Sequence, residues 1–308
     1  DQIRAFAPAA KTPSPTPTPR SAIRVESGEP QLFVDDLLIE RSSGLQRTLR
    51  QPVKDEGGNV PVISLADEFE GLGGTLEANG TIVFDPRLNR YVMFALAFSP
   101  QWKSTRDIWQ AVRLYRFTSE DGMEWIKGDD GTPQCVFPRE PDDLLDAESG
   151  ARATNIDLFS CYYDVNDADF PYKGWLYFSN WGNEREGVYY MRSRDGIHWE
   201  RGTMILNATS SSSDTSCSEL HAHDVTLKGP GDVTIFYHDE KTGRYLAAFK
   251  FYTRTPVWPG NALRSRAYAF LDRIDEPWDT DQIERLALVP AAAEKNGDMP
   301  SDEYYAST

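Results

Sequence analysis

TSEDGMEW at residues 118–125 recurs as RSRDGIHW at residues 192–199. In both copies a Ser and an Asp-Gly pair precede a Trp, and each copy follows an apolar, strand-like run. Asp-Gly between apolar strands is a strong hairpin signal, because Gly adopts the positive φ that tight turns need. A third copy, FLDRIDEPW at 270–278, keeps the Trp and lacks the Gly. The motif therefore predicts the closing turn of a repeated β unit.

Each repeat also opens in the same way, with an apolar strand that ends on an Asp. These strands read GTIVFDP at 80–86, LFSCYYD at 158–164 and TIFYHD at 234–239. The anchors recur about every 75 to 80 residues, and a repeat of that length with strand signals alone is typical of propeller blades. The repetition of Asp85, Asp164 and Asp239 predicts that these residues cap turns rather than catalyse.

The chain is therefore predicted to be all-β, with the propeller domain at residues 21–308. Its blades are expected at about 75–132, 153–206 and 224–290, with an entry segment at 21–72 and the start of a fourth blade at 301–308. Residues 1–20 are rich in Pro and Thr and bury little apolar area, so they are predicted to form a disordered tether.

The number of blades leaves two interpretations open. A closed propeller needs roughly four to eight blades, and the sequence contains three clear units. Either the propeller is incomplete in this chain, or residues 21–72 supply part of another blade. An open stack of three sheets would expose apolar faces and strand edges.

Charge and composition limit the partners and the location of the protein. The formal net charge of the 308 residues is −16, which repels phosphates and argues against a nucleic-acid partner. No apolar run is long enough for a transmembrane helix. The Pro/Thr tether and the first residue, Asp1, favour an exported protein that is secreted, periplasmic or on the cell surface. The three Cys residues are compatible with one disulfide bond or with free thiols, and both alternatives stay open.

The motifs resemble those of the five-bladed β-propeller glycoside hydrolases, the invertase, levansucrase and arabinanase type. The resemblance covers about residues 30–290 and rests on the two closing turns, the strand-Asp-Pro turn at 80–86 and QLFVDDLLIE at 31–40. It implies a five-bladed β-propeller of four-stranded antiparallel blades, with both interpretations of the blade count still open, and a carbohydrate substrate. The closure is also similar to the Asp-box of sialidase propellers, but it is one residue shorter.

The resemblance further implies three carboxylates in the central funnel, near the starts of the inner strands. Hydrolysis needs one acid to protonate the departing oxygen and one carboxylate to attack or to activate water. Glu77 is the candidate base or nucleophile, although the family usually has Asp there and a surface turn carboxylate is the alternative. Asp157, between apolar neighbours, matches the supporting Asp. Glu219 is the candidate general acid.

Further polar and aromatic residues are candidates for substrate binding. Asn79 lies beside Glu77, and His221 and His223 follow Glu219 at alternate positions, which share a face if the segment is a strand. Trp181 is the best candidate for stacking on a sugar ring. A His-x-His pair also suits zinc, but third and fourth ligands are not evident, so no metal and no cofactor are predicted.

Two functions from different classes are consistent with these features. The first is a glycosidase that cleaves oligo- or polysaccharides with the funnel carboxylates. The second is a non-catalytic carbohydrate-binding or surface-assembly propeller. The glycosidase is the leading hypothesis. The degenerate third closing turn, the missing Asp in blade one and the short count of blades support the second function as the alternative.

Overall fold

A computed structural model gives the architecture of the chain. It describes residues 27–28, 38–39, 41–44, 46, 48, 53, 62–63, 75–77, 82–98, 112–128, 131–145, 150, 152–153, 155–179, 186–207, 220–222, 225–254, 263–277 and 287–289. For strand residues 75, 77, 155, 207, 220–222, 225–233, 249–254, 263–268 and 287–289 it describes the backbone alone. Residues 1–58 and 59–308 form two compact units, and all strands described below lie in the second.

Blade one is an antiparallel sheet whose inner strand is divided in two. Its strands are β1 (Thr75–Glu77), β2 (Ile82–Asp85), β3 (Arg90–Phe98), β4 (Val112–Ser119) and β5 (Gln134–Phe137). Both β1 and β2 pair with β3, at its end and its beginning respectively. The sheet is therefore four strands wide, and a 3-10 helix at Pro141–Leu144 follows it.

Blade two is a four-stranded antiparallel sheet in sequence order. Its strands are β6 (Asn155–Tyr163), β7 (Tyr172–Ser179), β8 (Gly187–Ser193) and β9 (Trp199–Asn207). Nearly every residue of β7 and β8 is buried. Strands buried on both faces read as continuous apolar runs, which is why YKGWLYFS and GVYYMRS lack a clear alternation.

Blade three repeats the meander and adds a short strand in front of it. Its strands are β10 (Leu220–Ala222), β11 (Val225–Asp239), β12 (Arg244–Arg254), β13 (Leu263–Leu271) and β14 (Ala287–Val289), paired in that order. The three sheets and the absence of any α-helix among the described residues show the all-β, propeller-like fold that the repeat predicts.

The sheets stack face to face through two apolar clusters, with blade two in the middle. One cluster joins Phe94 and Leu96 of blade one to Phe159 and Leu176 of blade two. Another cluster joins blade two to blade three, where the fully buried Trp175 ring lies 4.8 Å from that of Phe236. Because side chains alternate across each strand, successive residues of β7 pack in turn against blade one and against blade three.

The two intact closing turns have the same hydrogen-bond pattern. The Ser193 hydroxyl accepts the amide of Gly196 at 2.9 Å, and the Trp199 indole donates to the Gly196 carbonyl at 3.2 Å. In blade one, the Ser119 hydroxyl accepts the amide of Gly122 at 2.8 Å, and the Trp125 indole donates to the Gly122 carbonyl at 3.1 Å. The Trp199 ring packs edge-on against rings from both blades, at 5.4 Å and 4.9 Å. This tryptophan therefore packs between blade one and blade two.

The degenerate third turn accepts a hydrogen bond from a neighbouring blade. The buried Trp175 of blade two donates its indole N–H to the Ile274 carbonyl at 2.8 Å. Ile274 itself is 3% exposed and belongs to the cluster between blades two and three. The third turn thus binds blade two through a hydrogen bond and apolar packing, although its Gly is missing.

Candidate functional site

Each blade has two ends that differ in chemistry. We call the end with residues 155–157, 177–179 and 186–188 of blade two the Asp157 end. The opposite end, where Asp85, Asp164 and Asp239 close the first hairpin of each blade, is the turn end. Register places Glu77 of β1 opposite Leu96, near the end of β3. Glu77 therefore lies at the Asp157 end of blade one.

Asp157 stands at an interruption of the inner strand of blade two. It pairs with Tyr177, and the next pair along the strand joins Phe159 to Leu176, so that Leu158 is an extra residue in β6. Leu158 has a φ of 34° and is 4% exposed. The half-buried Asp157 accepts the Leu158 amide on Oδ1 at 2.8 Å.

This β-bulge is the strongest local indication of function in the described part of the chain. A positive φ is unfavourable for a branched residue such as Leu and costs about 1–3 kcal/mol. Bulges re-aim side chains and are over-represented beside active sites. The strand thus accepts strain at the residue that follows Asp157, and the bulge determines where this carboxylate points.

The other predicted site residues are described less fully. Glu77 and His221 lie on described backbone, in β1 and β10, with His221 opposite Thr226. Asn79, Trp181, Glu219 and His223 lie outside the described residues. Of the predicted set, Asp157 is the one whose side chain is described, and the roles of all of these residues, Asp157 included, stay predictions.

Blade three has an irregularity similar to that of blade two. In β11, Pro230 pairs with Phe251 and Thr234 with Phe249, so that 231–233 face a single residue of β12. The middle residue is Asp232, seven residues before Asp239, and Asp157 is likewise seven residues before Asp164. We had not identified Asp232 from the sequence, although this repeated spacing was a usable signal.

A buried contact aligns these two inner strands. The Ser160 hydroxyl in β6 accepts the Phe236 amide of β11 at 3.1 Å and donates to the Phe236 carbonyl at 3.3 Å. Both irregular positions lie a few residues before this contact in their strands. The fold therefore brings the Asp157 position and the Asp232 position to similar levels of adjacent inner strands.

A second buried carboxylate lies at the Asp157 end and was missed from the sequence. Glu186, directly before β8, is 4% exposed, and its Oε1 accepts a hydrogen bond from the hydroxyl of Tyr177. Tyr177 is itself buried, and it is the register partner of Asp157. The polar surroundings of Glu186 in NWGNERE indicated an ordinary surface connection, so composition gave no signal of its burial.

The repeated aspartates cap turns, as predicted. Asp85, Asp164 and Asp239 accept the amide two residues ahead at 2.8, 3.0 and 3.0 Å. Asp85 also accepts the Tyr172 hydroxyl at 2.6 Å, which joins blade one to blade two. Burial raises the pKa of Asp85, but hydrogen bonds from Arg87 and Tyr172 outweigh it and lower the pKa overall. These carboxylates are structural.

A cleft of about 350 Å³ is lined by none of the predicted site residues that the structure describes. It is lined by Val136, Phe137, Arg139, Glu140, Asp143, His198 and Trp199. Asp143 already accepts the amides of Arg139 and Glu140, at 2.6 and 3.1 Å, and His198 is paired with Asp195 at 2.7 Å. Its polar groups therefore serve local turns, and we do not place the site there.

The described residues also bear on metal, thiol and membrane chemistry. Within them, no three His, Cys, Asp or Glu side chains are grouped so that they could hold a metal ion. Cys135 and Cys161 are free thiols, and burial raises the pKa of both. No helix in this part of the chain is long and apolar enough to span a membrane.

Comparison with known proteins finds only distant structural similarity. No family model matches it, and neither does any curated protein. Among solved structures, a family 117 glycoside hydrolase of Zobellia galactanivorans gives a TM-score of 0.42 at 14% identity, covering 68% of this chain and 57% of that one. An N-acetylgalactosamine deacetylase from F. plautii gives 0.36 at 17%, covering 79% and 57%.

A GH32 β-fructofuranosidase of Bombyx mori gives a TM-score of 0.36 at 13% identity, covering 68% of this chain and 35% of that one. The chain thus spans little more than half of the first two relatives, and less of the third. Two of the three bear the names of glycoside hydrolases, the class that the sequence motifs resemble. At these scores and identities the likeness concerns the fold, and the site must be argued from the described residues.

Proposed function

We propose that the protein is a glycoside hydrolase that acts on an oligo- or polysaccharide at the Asp157 end of the blades. The observation that carries this proposal is the strained bulge that aims a half-buried carboxylate from an innermost strand. Strain of this kind persists where the surrounding structure over-determines it, and it clusters at active sites. A propeller brings such strand ends together around one funnel.

The chemistry needs carboxyl groups with different protonation states. One must carry a proton for the glycosidic oxygen, and another must be ionised to attack the sugar or to activate water. Clustering of like charges in a partly buried site separates their pKa values, because two neighbouring carboxylates cannot both ionise easily. In this proposal Glu219 is the acid, Glu77 the base or nucleophile, and Asp157 the supporting carboxylate.

The sugar would be held by the polar and aromatic residues that flank these carboxylates. Asn79, His221 and His223 can exchange hydrogen bonds with hydroxyl groups, and Trp181 offers an aromatic face for the apolar side of a sugar ring. All four precede or follow elements of the Asp157 end in the sequence. The acidic chain favours a neutral or cationic substrate over an anionic one.

The test is hydrolysis of a panel of aryl glycosides and oligosaccharides by the wild type and by D157N. Loss of one carboxylate should lower kcat/KM by about 10²- to 10⁴-fold. The matched control is D169N, because Asp169 belongs to the same blade and its side chain is 81% exposed. E77Q and E219Q should show comparable losses.

Two results would count against the proposal. A folded D157N with wild-type kcat/KM would remove this residue from the mechanism. Binding of glycans by the wild type without any product would favour the non-catalytic propeller module. An unchanged melting temperature of each variant shows that a lost activity is not lost folding.

A further inference from the structure

Glu186 is a buried carboxylate that the proposed mechanism does not use. Ionisable side chains are almost never fully buried unless they are paired, because the charge loses its hydration. Glu186 is 4% exposed and directly precedes β8, a strand rich in Val and Tyr. An apolar residue would pack there without that cost, so the carboxylate requires a reason in the site around it.

The surroundings of Glu186 connect it to Asp157. The Tyr177 hydroxyl donates to Glu186 Oε1, and both residues are buried. Tyr177 pairs with Asp157 on one side and with Val188 on the other. Directly opposed residues of antiparallel strands share a face of the sheet. One phenol thus links the buried carboxylate to the strand position of the candidate catalytic residue.

We propose that Glu186 is a positioning residue of this site, which fixes the Tyr177 hydroxyl and adds a second negative charge at the Asp157 end. This inference rests on the proposed function for its catalytic meaning. A nearby negative charge disfavours the ionised form of a carboxylate. Glu186 therefore makes Asp157 harder to ionise, so that we expect a higher pKa for Asp157 than for an ordinary surface Asp.

Several other charged groups lie on the elements that pack around blade two. Lys173 of β7 pairs with Asp164 and Asp167 at the turn end. Burial raises the pKa of Tyr190 in β8 to about 12, while nearby Lys173 lowers that pKa and Asp275 raises it further. On β9, the Arg201 guanidinium stacks over Phe178 and Tyr189, on the face toward blade one.

On β11, His238 packs with Tyr162 and Tyr245 near the turn end. The same strand carries Lys228 and Asp232 in its first half. By register, Lys250 and Arg254 of β12 and Arg264 and Arg266 of β13 also lie toward this end of blade three. The measurement must take these charges into account together with Lys228 and Asp232. A D232N variant, titrated alongside the others, separates the influence of Asp232 on Asp157 from that of Glu186.

The experiment is a titration of the side-chain carboxyl resonances by ¹³C NMR, with Asp157 assigned from the signal missing in D157N. In E186Q the Asp157 pKa should fall by roughly half a unit. The matched control is E200Q, because Glu200 lies in the same blade, pairs with Arg192 and has a 54% exposed side chain. An Asp157 pKa that is equal in wild type and E186Q would overturn the inference.

A kinetic arm reports the same coupling during turnover. In E186Q the acid limb of the kcat/KM profile should move to lower pH, and E200Q should leave it in place. Y177F, which keeps the carboxylate and removes its donor, should shift the limb less and in the same direction. It is the fallback if E186Q does not fold. A wild type without turnover would defeat the proposed function, whereas the NMR shift would still decide this inference.

Discussion

Gly196 offers a sharp test of how the closing turn and the blade interface are built. It has a φ of 74°, and a Cβ added there would lie 3.0 Å from Cζ of Tyr172. That ring is fully buried, and its hydroxyl is bonded to Asp85. Gly122 occupies the same place in blade one with a φ of 78°, and it has no atom within 4 Å of the added Cβ.

The two Gly→Ala substitutions share a backbone penalty and differ in packing. The left-handed conformation costs Ala about 1–2 kcal/mol, and the smaller entropy of the unfolded chain offsets roughly 0.4–1 kcal/mol of that. G122A should therefore lower the free energy of unfolding by about 1 kcal/mol. G196A adds overpacking of about 1–3 kcal/mol, because the Tyr172 ring cannot retreat without breaking its bond to Asp85.

The assay is thermal and urea unfolding of both variants and the wild type under identical conditions. We expect G196A to unfold at a clearly lower temperature and urea concentration than G122A, by the equivalent of about 1–3 kcal/mol. Equal losses in the two variants would refute the packing argument. A larger loss in G122A would refute the description of both turns.

Y172F removes the hydroxyl that Asp85 accepts at 2.6 Å, and it should cost about 1–3 kcal/mol by leaving a buried carboxylate short of a donor. W175F removes the indole bond to Ile274 at 2.8 Å and should destabilise by a similar amount, measured by urea unfolding. Burial raises the pKa of Asp195, but bonds from the amides of His198 and Ile197 and from the His198 ring outweigh it and lower the pKa to about 2. The native state thus binds this proton less readily than the unfolded state, so the stabilisation is complete above about pH 4 and is lost as the pH falls toward 2. It amounts to roughly 1 kcal/mol after allowance for the partly exposed side chain.

Each of these predictions has a control. Y91F alters a tyrosine that is 38% exposed, and it should change stability by less than about 0.5 kcal/mol. In D195N, the free energy of unfolding should fall less between pH 4 and pH 2 than it does in the wild type. A D195N variant that keeps the full wild-type slope would show that other groups produce it. Wild-type stability in Y172F or W175F would mean that these bonds do not hold the blades.

The sequence predicted the parts of the fold that depend on local chemistry. The strands at Arg90–Phe98 and Val112–Ser119, and the positive φ of Asn89 in the turn between β2 and β3, follow from apolar runs and turn residues. The capping by Asp85 and its counterparts followed from their repetition. Each of these features is determined within a few residues, so that one sequence is enough to find it.

The features that depend on tertiary contacts could not be read in this way. Nothing in NIDLFS predicts that Leu158 takes a positive φ, because the bulge arises from the pairing of β6 with β7. The burial of Glu186 beside Tyr177, a residue of the cluster between blades two and three, depends on tertiary packing. Asp157 was selected as a candidate because its neighbours are apolar, and the bulge that follows it was not predicted. Polar segments such as the one around Glu219 gave candidates by composition alone.

The bond from Trp175 to Ile274 means that the three repeats are no longer interchangeable. In the intact turns a glycine carbonyl receives the tryptophan of its own turn, whereas the decayed turn receives one from the adjacent sheet. An intact turn grafted into the third position would have to keep a backbone carbonyl where Ile274 now presents it, because the buried Trp175 indole donates to that oxygen. Because blade three supplies the acceptor for a buried side chain of blade two, the sequence of each blade limits the substitutions that its neighbour tolerates.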